Sequence, residues 1–209
     1  MSLSAPPAGV ERDFALARLT TVRTGGPADF FARPASSAEL EALLAWATRA
    51  KVAVGVVGSG SNLLVADAGF RGLVLKLEGE LATIEREGER LRCGGGARLP
   101  QASARAAREG LTGLEFGVNI PGTVGGAIRM NANAYGGDLS RVLEWAEIVS
   151  TDGRDRRVPS QLGFAYRRSA LEAGEVVAHA SFRLAPAGRA SPGWSSGSTF
   201  RARWAARSG

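Results

Sequence analysis

The sequence predicts an α+β fold built from two units. Its 209 residues allow one large or two small domains, at about 150 residues per domain. Up to about residue 77 a helical pattern stands among strand patterns, which indicates an α/β unit, whereas strand patterns dominate from residue 78 onward. Hydrophobic residues make up 44% of the chain and charged residues 22%, so there is enough apolar material for a core.

A capping box opens the helix of the first unit. Ser36 and Glu39 form this box, and apolar residues follow it at helical spacing, so we predict a helix over residues 37–50. Residues 52–57 then have the pattern of a short buried strand, and residues 72–77 that of another. The loop between these two strands is rich in glycine.

Hairpins and a second helix are predicted for the strand-rich unit. Residues 82–93 contain two strand patterns joined by a turn, and an alanine- and arginine-rich helix is predicted over residues 99–109. Further on, the pair Asp152 and Gly153 lies between strand patterns at 143–151 and 154–158. An Asp-Gly pair in this setting is a strong hairpin signal.

The last strand pattern covers residues 176–184. Its alternation predicts a half-buried strand near the edge of a sheet. His179 falls on the more polar face, and we assign it a structural place without a catalytic role. The predicted apolar face consists of Val176, Ala178, Ala180, Phe182 and Leu184.

Charge and composition exclude several classes of protein. Lysine and arginine number 26 against 20 acids, a net charge of +6, but five of these charges come from arginines after residue 180, where no acid occurs. The body therefore has no basic stripe for nucleic acid. One cysteine and one histidine are too few for a disulfide or a Cys/His metal site. No apolar run nears the ~20 residues of a membrane span, and no signal peptide is visible, so we expect a cytoplasmic protein.

The first candidate site is a loop after the strand at 52–57. Small residues there would let backbone N–H groups converge on phosphate oxygens. The loop is not a GxGxxG fingerprint or a P-loop, because no third glycine opens a helix and no Gly-Lys-Ser/Thr follows. A tight turn without a ligand is the alternative. The candidate residues are Gly58, Ser59, Gly60, Ser61, Asn62 and Leu63.

A second glycine-rich run covers residues 119–127. Pro121 restricts the backbone while the glycines lack Cβ atoms, which favours a rigid concave surface for a flat or phosphorylated ligand. Two such cradles in one small chain favour a long ligand with a pyrophosphate, such as a dinucleotide. The candidate residues are Pro121, Gly122, Thr123, Gly125 and Gly126, with Asn131 following within reach.

These motifs resemble the bacterial UDP-N-acetylenolpyruvoylglucosamine reductases, the MurB family. The resemblance runs in order from about residue 18 to residue 184. It implies a two-subdomain FAD-binding fold of the vanillyl-alcohol-oxidase (PCMH) type, with subdomains at about 14–77 and 78–186. The motifs that carry it are residues 21–28, 58–64, 120–126, 129–132 and 134–136.

The resemblance also implies the reaction. Hydride passes from NADPH to FAD and then to the enolpyruvyl double bond of a UDP-sugar, yielding UDP-N-acetylmuramate, a peptidoglycan precursor. The glycine-loop residues named above and Asn131 would bind FAD. The partners are NADPH and the UDP-sugar, and we expect a monomer without nucleic-acid or membrane partners.

Two residues match the family's catalytic positions. Arg167, within the sequence Tyr-Arg-Arg-Ser, matches the arginine that stabilises the enolate, and its neighbour Arg168 is expected to be solvated or ion-paired. Ser198, within the sequence Gly-Ser-Thr-Phe, matches the proton donor.

The end of the sequence departs from the family pattern. The usual continuation after Phe200 does not follow, and the family's C-terminal glutamate has no counterpart, since the last acid is Glu175. We therefore expect that the C-terminal substrate domain is missing, that residues 187–209 form an irregular basic tail left from the junction to it, and that the truncation or alteration impairs activity.

Three other functions stay open at this point. The chain could be a non-catalytic FAD- or nucleotide-binding module, an oxidase that shares the flavin fold, or a nucleic-acid binder acting through the arginine tail. The glycine-rich loops offer no histidine or cysteine for covalent flavin attachment. Cys93 is expected to end a buried strand.

Overall fold

The computed structural model describes residues 5–188. Among these residues, no helix has the length and apolar character needed to cross a membrane. The helices are α1 Ser37–Arg49, α2 Leu99–Arg108 and α3 Val124–Arg129. The strands are β1 Glu11–Ala15, β2 Pro27–Ala32, β3 Val54–Val56, β4 Phe70–Leu75, β5 Ile84–Glu87, β6 Arg90–Gly94, β7 Leu111–Thr112, β8 Asn133–Ala134, β9 Gly137–Asp138, β10 Leu143–Ser150, β11 Gly153–Arg157, β12 Val176–Arg183 and β13 Ala185–Pro186.

The first sheet has the strand order β1-β2-β4-β3, in which β2, β4 and β3 run parallel and β1 is antiparallel. The predicted helix is confirmed as α1. Ser36 caps it by accepting a hydrogen bond from the backbone N–H of Glu39 at 3.2 Å. The prediction of a buried strand over residues 52–57 is wrong in extent and setting. The strand there is the short edge strand β3, and Val56 is 48% exposed.

The second sheet is antiparallel, with the strand order β11-β10-β12-β6-β5. Both predicted hairpins are confirmed, as the pairs β5–β6 and β10–β11. The helix predicted over residues 99–109 is confirmed as α2. The chain leaves the first sheet at the end of β4 and enters the second at β5, and the two sheets share no strand.

The setting predicted for residues 176–184 is wrong. The strand β12 lies in the centre of the second sheet, and seven of its eight residues are buried. Its partner β10 passes from Glu147 to Ile148 while β12 passes from His179 to Val177, so Ala178 is an extra residue, a β-bulge. Because of the extra residue, alternate side chains before the bulge point to the opposite face of the sheet from those after it. A prediction that assumes one unbroken alternation along the strand misses this change.

The bulge lets β12 contribute to two hydrophobic clusters. Val176 and Ala178 pack in the cluster that contains the buried leucines of α1 and of the first sheet. Ala180 and Phe182 instead pack in the core formed by the second sheet with α2 and α3. One strand thus joins the two units through apolar contacts, because its side chains serve both cores.

His179 lies in an ion cluster between the two units. It is 8% exposed, and its Nδ1 is 3.3 Å from Glu147 Oε1. Arg154 lies 3.6 Å from the same carboxylate and 2.6 Å from Glu41 of α1. The histidine is therefore buried in the junction, and it does not line the clefts described below.

Glu144 connects three strands of the second sheet. It is the extra residue of a second irregularity, where β10 passes from Leu143 to Trp145 against a single step on β12. Its carboxylate accepts hydrogen bonds from Arg90 of β6 and from Arg183 of β12. These two bonds lower the pKa of Glu144 to about 2, and the bond from Arg90 has the larger effect.

We expect Glu144→Gln to destabilise the protein at neutral pH. The variant keeps the size of the side chain but loses the charge that pairs with two guanidinium groups, at a cost of ~0.5–1 kcal/mol for such exposed arginines. The folded pKa lies below the ordinary 4.5, so this stabilisation is complete above pH 4.5 and is lost as the pH falls toward 2. Urea unfolding of the wild type and the variant should therefore differ at pH 7 and converge only near pH 2. The exposed turn variant Glu89→Gln serves as the control, and an equal loss at both pH values would contradict the assignment.

Candidate functional site

The two glycine-rich loops meet side by side. Ser59 Oγ donates a hydrogen bond to the carbonyl oxygen of Pro121 at 2.7 Å, and Ser61 Oγ donates to the same oxygen. Gly58 approaches Thr123 so closely that an added Cβ would lie 2.5 Å from Thr123 Oγ1. The residues on which both predicted cradles depend are therefore in direct contact.

The first loop is held from behind by residues 19–21. Gly60 has φ +69°, and a Cβ there would lie 1.8 Å from the carbonyl oxygen of Leu19. The N–H and the hydroxyl of Thr21 both donate to the carbonyl of Gly60, at 3.2 and 3.3 Å. Only glycine satisfies this backbone conformation and this close approach.

The second loop leads into α3. Thr123 caps this helix, its Oγ1 accepting from the N–H of Gly126 at 3.3 Å. The N–H of Gly125 donates to the carbonyl of Gly95 at 2.8 Å, which fastens the loop to the turn after β6. A Cβ at Gly125 would lie 3.0 Å from that oxygen. No simple periodicity had revealed α3, because the glycines in it serve close packing rather than an apolar stripe.

A groove of about 580 Å³ opens along one side of the joined loops. We call it the Arg167 groove, since Tyr166 and Arg167 line it together with both loops and residues 129–133. Of the predicted cofactor-binding residues, the structure brings together here Gly58, Ser59, Gly60, Ser61, Asn62, Leu63, Pro121, Gly122, Thr123, Gly126 and Asn131.

A second cleft of about 490 Å³ borders the same junction. Gly58, Ser59, Thr123 and Gly126 line both this cleft and the Arg167 groove. The remaining predicted residue, Gly125, lines this cleft but not the Arg167 groove. We call it the cationic cleft, because four cationic residues line it against one acid, Glu175. The four cations are Arg18, Lys76, Arg98 and Arg129, and of these the sequence analysis included only Arg129, within the motif at residues 129–132.

The carboxylate of Glu175 forms a salt bridge with Arg157, and neither residue lines the Arg167 groove. Arg157 lies 2.5 Å from its carboxylate, and the N–H of Glu172 donates to it at 2.7 Å. The bond from Arg157 is the main cause that lowers the pKa of Glu175. This last acid of the sequence is thus an ionised wall residue of the cationic cleft, on a different cleft from Arg167.

Arg167 stands at the tip of a tight turn. Ala165 and Arg168 exchange backbone hydrogen bonds of 3.0 and 3.3 Å, with Tyr166 and Arg167 between them. Arg167 has φ +54° and is exposed at the groove. Arg168 is also exposed, but it lines neither cleft. Ser198, the predicted proton donor, lies outside the described residues.

Cys93 is an inert thiol within the second core. It lies in β6 and is fully buried, as predicted, and burial raises its pKa to about 12. A protonated, inaccessible thiol does not form a covalent flavin bond. Within residues 5–188, histidine, cysteine and acidic side chains form no group of three that could hold a metal ion.

Comparison with known proteins decides the family. Residues 28–158 match the model of the FAD binding domain. The crystal structure of MurB from Thermus caldophilus superposes with a TM-score of 0.75 at 32% sequence identity, covering 93% of this chain and 80% of that one. The chain belongs to the MurB family. Its family and its two-subdomain FAD-binding fold agree with the sequence predictions.

The curated relatives are longer than the part of them that this chain matches. UDP-N-acetylenolpyruvoylglucosamine reductase 2 of Symbiobacterium thermophilum is 46% identical over 191 residues, which cover 90% of this chain and 62% of that MurB protein. The chain thus spans less than two thirds of this curated relative. A VAO-type flavoprotein from Myceliophthora thermophila, at 20% identity and a TM-score of 0.59, shares the fold.

The junction of this MurB chain fits the diphosphate of FAD. Within residues 5–188, the backbone N–H groups of residues 58–62 donate to no other backbone oxygen, so they are free to bind an anion. Gly122 faces open space, since the nearest atom to an added Cβ is Ile120 Cγ2 at 4.0 Å. Both Gly122 and Gly126 line the groove, and an added Cβ at Gly126 would lie 3.4 Å from Thr123 Oγ1. The junction therefore offers both hydrogen-bond donors and space for a diphosphate group.

We expect the contact between the loops to appear as energetic coupling. Gly58→Ala places a methyl group 2.5 Å from Thr123 Oγ1 and should destabilise the protein by ~1–3 kcal/mol. Thr123→Ala alone removes the cap of α3, at ~1 kcal/mol. In the double variant the methyl group has room. Its loss of unfolding free energy, measured with urea, should therefore be smaller than the sum of the losses in the two single variants. Strict additivity would show that the loops do not touch.

Proposed function

We propose that this chain is the FAD-binding part of a UDP-N-acetylenolpyruvoylglucosamine reductase. The proposed reaction reduces UDP-N-acetylglucosamine enolpyruvate to UDP-N-acetylmuramate with NADPH, in the cytoplasm and as a monomer. The observation that carries the proposal is the junction of the two glycine-rich loops, which lies between two clefts and has Arg167 at the end of one of them. A long ligand with a central diphosphate suits this arrangement.

The two clefts suit the two ends of FAD. The diphosphate would lie at the junction, where the backbone amides of residues 58–62 are donors. The adenosine end would enter the cationic cleft, which offers Leu77 and Val177 as apolar walls. The isoalloxazine ring would lie in the Arg167 groove, because the reacting carbon must be near that guanidinium.

Arg167 would stabilise the charge that develops during reduction. When bound, FAD supplies the hydride that it receives from NADPH. Hydride addition to the β-carbon of the enolpyruvyl group leaves negative charge on the α-carbon and its carboxylate. Arg167 is permanently cationic and can fork onto a carboxylate, so it suits this enolate. A proton must then reach the α-carbon, and Ser198 is the proposed donor.

We expect the purified chain to bind FAD and Gly122→Val to weaken this binding. Gly122 lines the groove and an added Cβ there is 4.0 Å from the nearest protein atom, so the isopropyl group of valine would occupy space beside the groove and contact little of the protein. Fluorescence titration with FAD should show an affinity loss of at least about tenfold, whereas the midpoint of urea unfolding should stay close to that of the wild type. Ala38→Val, on the exposed surface of α1, is the control. A wild-type chain without affinity for FAD would refute the proposal.

Arg167→Ala should slow reduction by about two to three orders of magnitude without affecting FAD affinity. Loss of a positioned electrostatic group costs ~10²–10³ in rate, and Arg167→Lys should recover only part of it, because an ammonium cannot fork onto the carboxylate. NADPH oxidation dependent on the enolpyruvyl UDP-sugar is the measurement, and Arg168→Ala is the matched control. If the wild type binds FAD but shows no such oxidation, the chain is the non-catalytic FAD-binding module.

A further inference from the structure

The turn that carries Arg167 is fastened to the C-terminal end of α3. Asn131 Nδ2 donates to the carbonyl of Ala165 at 3.2 Å, at the base of the turn. Ser169 Oγ donates to the carbonyl of Arg129 at 3.0 Å, and Arg129 Nη1 donates to the carbonyl of Glu172 at 3.3 Å. These three bonds connect the segment at residues 129–131, which lines one wall of the Arg167 groove, with the segment that carries Arg167.

The turn needs such a connection because its own geometry is unfavourable. Arg167 adopts φ +54°, a left-handed conformation that non-glycine residues rarely take. Tyr166 at the other corner is 82% exposed, so it offers the turn little packing. Only the two backbone bonds between Ala165 and Arg168 close the turn from within. An external hydrogen bond to its base therefore contributes to holding one orientation.

Asn131 is suited to provide that bond. It follows α3 with φ +41°, a conformation that asparagine tolerates better than most residues, and this directs the side chain toward Ala165. Its Oδ1 is buried and has no hydrogen-bond partner among the described residues. The amide thus gains a bond at one atom and lacks one at the other, so its net contribution to global stability is small. The bond from Asn131 mainly stabilises the conformation of the turn that carries Arg167.

We propose that Asn131 is a positioning residue that orients Arg167. This rests on the proposed function only in the role given to Arg167. The sequence predicts Asn131 as a contact to FAD. In the structure its amide nitrogen binds Ala165, while its Oδ1 has no partner among the described residues. Through this bond, the segment that follows the second glycine-rich loop and the catalytic arginine keep a common orientation. A ligand that orders the loop therefore also orders the cation that acts on the substrate.

Hydrogen exchange measured by mass spectrometry tests the connection itself. Asn131→Asp keeps the shape of the side chain but has no donor for Ala165, and Asn131→Gly keeps the freedom for positive φ without a side chain. Both variants should speed the exchange of the amides of Ala165 and Arg168 about fivefold, while exchange in β12 stays unchanged. Asn119→Asp, which loses a similar 3.3 Å bond to Tyr135, is the matched control. Unchanged exchange in the turn, or faster exchange throughout the chain, would overturn the proposal.

A double-mutant cycle tests whether Asn131 acts through Arg167. The FAD-loaded chain is titrated with the enolpyruvyl UDP-sugar, and the change in flavin absorbance reports binding. Asn131→Asp should weaken this binding about fivefold in the wild type and have no further effect in Arg167→Ala. An undiminished effect in the Arg167→Ala background would mean that Asn131 contacts the ligand directly and would refute positioning. If the wild type binds neither FAD nor the sugar, the proposed function fails, and the exchange measurement still decides the positioning role.

Discussion

The contact between the two glycine-rich loops is the constraint on which the site depends. Two serine hydroxyls from a loop of the first unit reach one carbonyl of the second, that of Pro121. Both clefts border this contact, and all but one of the predicted cofactor-binding residues line the groove beside it. If the loops separated, the amide donors of residues 58–62 and the open face of Gly122 would belong to different surfaces, and neither alone would enclose a diphosphate.

The contact is possible because the two units are held together elsewhere. The bulged strand β12 contributes side chains to both hydrophobic clusters, and Arg154 pairs with Glu41 of α1 across the junction. Burial of apolar side chains supplies most of the attraction, because the Arg154–Glu41 pair is largely exposed to water and contributes little, although His179 and Glu147 beside it are buried. The loops therefore meet as a consequence of how two sheets pack, and their own hydrogen bonds adjust the final alignment.

Local signals in the sequence predicted the elements that local physics controls. The capping box at Ser36, the Asp152-Gly153 turn and the turn that joins β5 to β6 act over a few residues, and each is present in the structure. Strands β1 and β2 and helix α3 escaped prediction. Their residues lack a clear period, because glycine, proline and aromatic residues there meet packing demands from distant parts of the chain.

The sequence by itself determined the family, the two glycine-rich loops and the candidate arginine, Arg167, because these depend on short motifs of residue types that only a few backbone conformations accept. Tertiary structure alone decided the rest. It set β12 at the centre of its sheet, gathered four cations into a second cleft, turned Glu175 toward Arg157 and directed the Asn131 amide to the Arg167 turn. Each of these results from contacts between residues far apart in the chain, whose geometry is set when the two sheets pack and not by any local pattern.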